Sequence, residues 1–191
     1  MAATDVPQSA EDPGNPIPAR GWKPFALVAA LAVVLIAVGV VAARVWSNDA
    51  TTSPLAARQA QVEMNGEQVM PFDQNLTTHR FTKTDTGGVE IVTANDRADT
   101  AQAGLIQDHL AHEQELFSAG DFSDPMAIHG MAMPGIDELR QGATSGSLTV
   151  TYGTLPAGAQ LTYTATTPEV VSAVHTWFDA QLMDHGTHAV G

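Results

Sequence analysis

The residues best suited to chemistry are concentrated between Gln107 and Gly135, in the sequence QDHLAHEQELFSAGDFSDPMAIHGMAMPG. At about 100° per residue, the first half forms a helix whose apolar stripe includes His109 and Glu113, one helical turn apart. An imidazole and a carboxylate directed into a core require partners, because an unpaired buried polar group is costly. The spacing therefore predicts either a ligand site or a buried hydrogen-bonded pair.

The second half of this stretch supplies further donor atoms. The helix is expected to end at Gly120, which suits a C-cap, and the loop after it presents His129, Met131 and Met133. Imidazole and thioether groups suit copper better than they suit magnesium or calcium. The methionines also fit a purely structural role, since methionine fills irregular gaps in an apolar core.

A second group of candidates lies near the C-terminus. A threonine followed by Pro168 predicts the start of a final helix, which should stop at Gly186. The apolar face of this helix includes His185 and has His175 at its edge. Each histidine also has a simpler interpretation. His175 would be a residue on the helix surface, and His185 would be a C-terminal cap stabilised by the helix dipole.

Together these donors predict a metal site, with copper as the preferred ion. The expected ligands are His109, His129, Met133 and His185, with Glu113 as a ligand or an orienting partner and Met131 and His175 in reserve. One alternative is a non-catalytic interaction module in which the buried His and Glu side chains form a structural hydrogen-bond network. Another is non-covalent haem binding, because the sequence has no C-x-x-C-H attachment motif.

Enzyme activity is the least supported hypothesis. The sequence contains no G-x-S-x-G, P-loop, H-E-x-x-H or G-x-G-x-x-G motif. It has no cysteine, which excludes disulfides, thiolate metal sites and cysteine nucleophiles. The net charge of −13 falls entirely after Ser47. Such a surface repels nucleic acid, so we expect no nucleic-acid partner, and it mildly concentrates cations.

The strongest pattern outside these motifs is the uncharged run from Phe25 to Ala43, FALVAALAVVLIAVGVVAA. As a helix it would be about 28 Å long, close to the hydrocarbon thickness of a bilayer. Trp22 and Trp46 bracket it at interfacial positions. We interpret residues 25–43 as a transmembrane helix that stays uncleaved, because no convincing small-x-small cleavage site follows it.

The flanking segments give the topology and the domain limits. Residues 1–24 are polar and rich in Pro and Ala, as in a disordered tail. Arg20 and Lys23 precede the span and Arg44 follows it, which favours a cytoplasmic tail and an extracytoplasmic C-terminal domain in the bacterial envelope, for example the periplasm. Residues 44–69 are interpreted as a linker and residues 70–191 as the exported domain, with an envelope protein as a possible further partner.

The domain is expected to be of the α+β class, in the order ββ-α-loop-ββ-α. Alternating residues predict two antiparallel hairpins, one on each side of the central loop, and each hairpin precedes a helix. The predicted strands are 78–84, 89–94, 147–152 and 160–165, and the predicted helices are 100–119 and 168–184.

Two motifs, GDFSDPMAIHGMAMPG and HTWFDAQLMDHG, resemble an uncharacterised bacterial family of small exported or membrane-anchored domains. The family pattern reads GDFxDPxxIHGxxMPG and HxWFDAQLxDHG, and the resemblance covers nearly all of residues 70–188. It includes a histidine and a glutamate one turn apart on the first helix, which His109 and Glu113 match. His112 and Met131 are outside the pattern.

Some members of that family carry an aspartate carbamoyltransferase label. This chain has neither an S-T-R-T phosphate-binding loop nor an H-P-x-Q segment. A single small domain is also too short for that two-domain enzyme. The resemblance therefore supports the domain limits and the core histidines, and it implies no specific reaction.

Overall fold

The computed structural model describes residues 53–130 and 133–191. The predicted tail, the predicted transmembrane helix, the first part of the predicted linker and Met131 lie outside these ranges. Among the helices within these ranges, none is both long enough and apolar enough to cross a membrane.

A five-stranded sheet with the order β3-β4-β2-β1-β5 forms one layer of the described domain. Its strands are β1 (Thr77–Thr84), β2 (Gly87–Ala94), β3 (Leu148–Leu155), β4 (Gly158–Ala165) and β5 (Ala189–Val190). Both predicted hairpins are present, and antiparallel pairing between β2 and β4 joins them into one sheet. Strand β5 was not expected from the sequence. It pairs parallel to β1, with Ala189 opposite His79.

Five helices accompany the sheet in the described residues, so the domain is of the mixed α/β type. They are α1 (Pro54–Val69), α2 (Thr100–Ser118), α3 (Ser123–His129), α4 (Ile136–Ser145) and α5 (Pro168–His185). Helices α2 and α5 pack against the sheet, as the two predicted helices were expected to do. Their starts follow capping chemistry, since the side chains of Asp99 and Thr167 accept hydrogen bonds from backbone N–H groups in the first turn.

Helix α1 occupies most of the stretch that the sequence assigns to a linker. Ser53 caps it and Pro54 lies in its first turn, both favourable at a helix start. It contacts α3 and α5, and it buries Val62 and Gly66. A single large apolar residue on the buried face leaves little periodicity to detect, which explains why the composition resembled a linker.

The central loop also contains more helix than the sequence indicated. Seven residues that were expected to form a loop form α3, which ends at His129, and the residues after Gly135 form the ten-residue helix α4. Gly135 has φ +80° and lies against the backbone of Ala173 in α5. Both the left-handed conformation and the close approach require a residue without a Cβ, which accounts for the M-P-G sequence at this point.

Residues of both motifs belong to one aromatic cluster in the core between the sheet and the helices. Phe117 and Phe122 stack with ring centroids 4.5 Å apart, and Trp177 meets both of them edge-on. Tyr163 from β4 and Phe178 complete the cluster. The phenylalanine of GDFSDP therefore packs the start of α3 against α2 and α5, and the WF pair of HTWFDA packs α5 against the sheet.

Candidate functional site

A small cavity of about 50 Å³ lies between the inner face of the sheet and helices α2, α3 and α5. Its polar lining consists mainly of four histidines and three carboxyl side chains, while apolar and aromatic residues form the remainder. The histidines are His79, His109, His129 and His185, and the carboxyl groups belong to Glu90, Glu113 and Asp124. This is a high density of titratable groups for a cavity with room for only a few waters or an ion.

The four histidines reach the cavity from four different elements. His79 lies on the buried side of β1, and His109 lies on α2 with its ring edge-on to Phe72 at a centroid distance of 5.6 Å. His129 is the last residue of α3, and His185 is the last residue of α5. The ring of His185 lies 5.1 Å from that of His79 and 4.8 Å from that of His129, centroid to centroid. The ring of His185 therefore adjoins both His79 and His129.

A chain of charged hydrogen bonds fixes the orientation of His129. Its Nδ1 lies 3.0 Å from Oδ2 of Asp184, whose side chain is only 3% exposed. Since an ionised carboxylate can only accept, Nδ1 of His129 carries the proton and Nε2 has the free lone pair. Arg58 of α1 holds both oxygens of Asp184 in a bidentate ion pair, and it also donates to the backbone carbonyl of His129 at 3.2 Å.

The protonation states of the histidines follow from their burial. Burial, reinforced by the neighbouring imidazoles, lowers the pKa of His79 to about 4 and the pKa of His185 well below its ordinary value. Burial also lowers the pKa of His109 and of His129, although the Asp184 carboxylate partly offsets the effect at His129. All four rings are consequently neutral at pH 7, which is the form that binds metal ions.

The pKa values of Glu113 and Glu90, which line the same cavity, are shifted in the opposite direction. Burial, followed by the neighbouring carboxylate of Asp124, raises the pKa of Glu113 to about 9. Burial raises the pKa of Glu90 to about 7, while a hydrogen bond donated by the Tyr163 hydroxyl at 2.8 Å opposes that shift. Glu113 is therefore protonated at pH 7, and Glu90 is close to half-protonated.

Asp184 differs from those two glutamates. Burial raises the pKa of this carboxyl group, but the hydrogen bonds from Arg58 and His129 outweigh the burial and hold the pKa below its ordinary value. The site therefore combines one ionised carboxylate, which orients a histidine, with a neutral carboxylic acid at Glu113.

Three buried side-chain atoms have no hydrogen-bond partner in residues 53–130 and 133–191. They are Nδ1 of His79, Oε1 of Glu113 and Nε1 of Trp177. All three residues line the same cavity. An unpaired buried polar group costs about 1–3 kcal/mol, so three such groups around one cavity indicate that something polar or charged belongs there.

The structure brings together four of the seven sequence-predicted ligands. His109, Glu113, His129 and His185 all line the cavity.

Two of the other predicted ligands have different positions in the described structure. Met133 is 4% exposed and belongs to the apolar core, and it does not line the cavity. Nε2 of His175 donates to the backbone carbonyls of Thr84 and Gly87, at 2.9 and 3.0 Å, where it joins α5 to the first hairpin.

His79, Glu90 and Asp184 were not predicted from the sequence as site residues. His79 could have been found, because it alternates with the buried residues Thr77 and Phe81 in the strand THRFTKT and must face the core. Asp184 is adjacent to a candidate ligand, His185, but nothing in the sequence pairs it with Arg58, 126 residues earlier.

The described residues contain no group of three or more His, Asp or Glu side chains that converges closely enough to hold a metal ion. The donors are gathered around one cavity, but any ion that binds there must draw them closer together.

Comparisons of the chain with family models, with curated proteins and with solved structures find no match.

Proposed function

We propose that this chain is a membrane-anchored, extracytoplasmic metal-binding protein that holds a transition-metal ion, copper foremost, in its buried histidine cavity. The observation that carries the proposal is the coincidence of unpaired buried polar atoms with a small cavity. His79, Glu113 and Trp177 each leave one polar atom without a partner in the described structure, and all three line the same space of about 50 Å³.

The histidine geometry supports an ion as the occupant. Two imidazoles bound to one tetrahedral ion have ring centroids about 5 Å apart, given metal–nitrogen distances of about 2 Å. The distances from His185 to His79 and to His129 are 5.1 and 4.8 Å. The rings of His79 and His185 are stacked, with planes 8° apart, so one of the two must rotate before both can bind the same ion. The Asp184 carboxylate on His129 Nδ1 also matches the usual arrangement at metal sites, in which a carboxylate orients the ligand and increases its basicity.

The donor chemistry favours a transition metal over calcium or magnesium. Neutral imidazoles suit copper, zinc, iron and nickel, and copper binds most tightly among divalent ions at such sites. Met70 adds a thioether to the cavity lining. We therefore assign His79, His129 and His185 as the ligands, with His109 and Glu113 beside them and Asp184 as the group that positions His129.

The membrane anchor is the second part of the proposal. The uncharged run at residues 25–43 is long enough to cross a bilayer as a helix, and the positive charges before it favour an N-terminus in the cytoplasm. The domain beyond it would then face the space outside the cytoplasmic membrane. The surplus of acidic residues in that domain would concentrate cations near the site.

Thermal unfolding in the presence of metal ions tests the proposal. At a free copper concentration of about 100 times Kd, a single site adds about 2.7 kcal/mol to the free energy of unfolding, which raises the Tm. His79→Gln and His185→Gln should abolish this rise, whereas the exposed His112→Gln should keep it. If neither copper nor zinc raises the Tm of the wild-type chain, the metal-binding proposal is wrong.

One observation favours a second candidate, a non-catalytic envelope module whose buried polar residues are structural. The Arg58–Asp184–His129 chain is fully hydrogen-bonded, and the described residues form no converged ligand group. In that case His79→Gln would change stability by the same amount with and without metal. Haem is the least suitable occupant, because a porphyrin is many times larger than the cavity.

A further inference from the structure

A second, larger groove lies on the outer side of the histidine cluster. It has a volume of about 400 Å³ and lies between α1 and the turn Gly186–His188 that follows α5. Gln59 and Glu63 of α1 line one side, and His188 lines the other. This groove is much larger than the inner cavity and is large enough for a hydrated ion.

His185 lines both the groove and the inner cavity. It is also the ring that adjoins both His79 and His129. His185 is common to the two linings and therefore lies between the groove and the other proposed ligands. An ion that moves directly from the groove to the cavity would pass His185.

His188 follows His185 by three residues and lines the same groove. The turn Gly186–His188 leads directly into β5, whose first residue, Ala189, is opposite His79 in the sheet. His188 is only partly buried and is therefore accessible from the groove.

We propose that His188 is an outer metal-binding residue on the uptake route, which takes an ion from the groove and passes it to His185. This inference rests on the metal-binding function proposed above. Each step replaces a bound water or imidazole with another imidazole, and the oxidation state of the ion does not change. The inner cavity, at about 50 Å³, is much smaller than the groove, so an ion that binds there exchanges its waters for imidazole nitrogens.

The test measures the rate of copper uptake by the full chain. Trp177 lines the inner cavity, and replacing Trp22 and Trp46 with phenylalanine leaves it as the only one of the three tryptophans. Quenching of its fluorescence after rapid mixing with Cu(II) reports arrival of the ion, and an equilibrium titration gives Kd. The variants are His188→Gln and, as a matched control, His112→Gln, which lies exposed on α2.

The expected result is that His188→Gln slows uptake at least fivefold and leaves Kd unchanged within twofold, while His112→Gln changes neither. Circular dichroism of both variants verifies that the fold is intact. An unchanged rate in His188→Gln would overturn the inference, as would a weaker Kd without a slower rate, which would make His188 a ligand of the final site. If the wild-type chain binds neither copper nor zinc at equilibrium, the proposed function itself fails.

Discussion

At the scale of single residues, the cavity combines neutral imidazoles with a protonated carboxyl group. Burial keeps the His79 imidazole uncharged, with a pKa of about 4, and keeps the Glu113 carboxyl group protonated, with a pKa of about 9. Each has one buried polar atom that finds no partner within the described part of the chain. A cation in the cavity would bind the imidazole lone pairs and would also favour ionisation of Glu113.

The contribution of Asp184 is predicted to be the positioning of His129. Asp184→Asn replaces the carboxylate with a neutral amide and should weaken copper binding about 10–100-fold, as other carboxylates that hydrogen-bond metal ligands do. Asp179→Asn is the matched control, because Asp179 lies on the same helix with a 61% exposed side chain. Competitive titration against a chelator of known affinity measures the copper affinity of both variants. Equal affinity in the two variants would mean that Asp184 serves only the fold.

Glu113 is predicted to make the stability of the domain depend on pH. Burial raises its pKa from the ordinary 4.5 to about 9, so between these values the folded state holds a proton that the unfolded state has lost. The contribution of Glu113 to the free energy of unfolding therefore falls as pH rises, by up to about 1.4 kcal/mol per unit, and levels off above about pH 9.

Urea unfolding of the metal-free protein at several pH values between about 7.5 and 9 measures this dependence, because the buried histidines and Glu90, with a pKa of about 7, contribute little slope there. Glu113→Gln should remove most of the downward slope, since glutamine does not titrate. Glu115→Gln, on the exposed side of the same helix, should retain it. The same slope in wild type and in Glu113→Gln would show that this carboxyl group is not the source.

At the scale of the elements, α1 holds the site in place from outside the sheet. It delivers Arg58 to Asp184 and to the His129 carbonyl, and Asn65 donates to the carbonyl of Ile128 at 3.0 Å. Gln59 donates to the carbonyl of Met183 at 2.8 Å. This helix therefore joins α3 to the C-terminal end of α5, the two elements that carry His129 and His185.

Loss of the Arg58 side chain is predicted to destabilise the domain. Arg58→Gln leaves the buried Asp184 carboxylate without its cation and should cost about 1.5–3 kcal/mol, the usual range for a hydrogen bond to a charged group. Chemical denaturation of the metal-free protein measures the loss, with the exposed Arg97→Gln as a control. A change below about 0.5 kcal/mol, typical of an ordinary surface substitution, would contradict the proposed role of α1.

The helices and strands with a clear hydrophobic periodicity were predictable from the sequence, and those without such a periodicity were not. Alternation identified both hairpins, and the apolar stripe and capping residues identified α2 and α5. Helix α1 buries only Val62 and Gly66, and β5 has only two residues, so neither produces a recognisable pattern. Their structure depends on tertiary contacts, which local sequence does not encode.

Some residues of the candidate site were likewise predictable from the sequence, and others were not. His109 and Glu113 were identified because they interrupt an apolar stripe, and both line the cavity. Met133 was misplaced because a methionine near a histidine looks the same in the sequence whether it binds a metal or packs in a core. The pairing of Arg58 with Asp184 joins residues too far apart in the chain for any spacing argument.

At the scale of the whole molecule, the predicted topology would place an acidic, histidine-lined domain outside the cytoplasmic membrane. In intact cells, after permeabilisation of any outer membrane, added protease should digest the domain beyond Ser47 and leave the N-terminal tail intact. Antibodies against a tag at each end would report the two fragments. Mature protein that begins near Ser47 would show instead that the apolar segment is a cleaved signal peptide.

The metal content of the full chain tests the central claim most directly. The purified, untagged protein is equilibrated with a small excess of copper, dialysed, and analysed for bound metal per chain. We predict one copper ion per wild-type chain, one per chain in His112→Gln, and less than about a tenth of that in the combined variant His79→Gln/His129→Gln/His185→Gln. A wild-type chain that retains neither copper nor zinc, or a triple variant that retains as much as wild type, would contradict a metal site in this cavity.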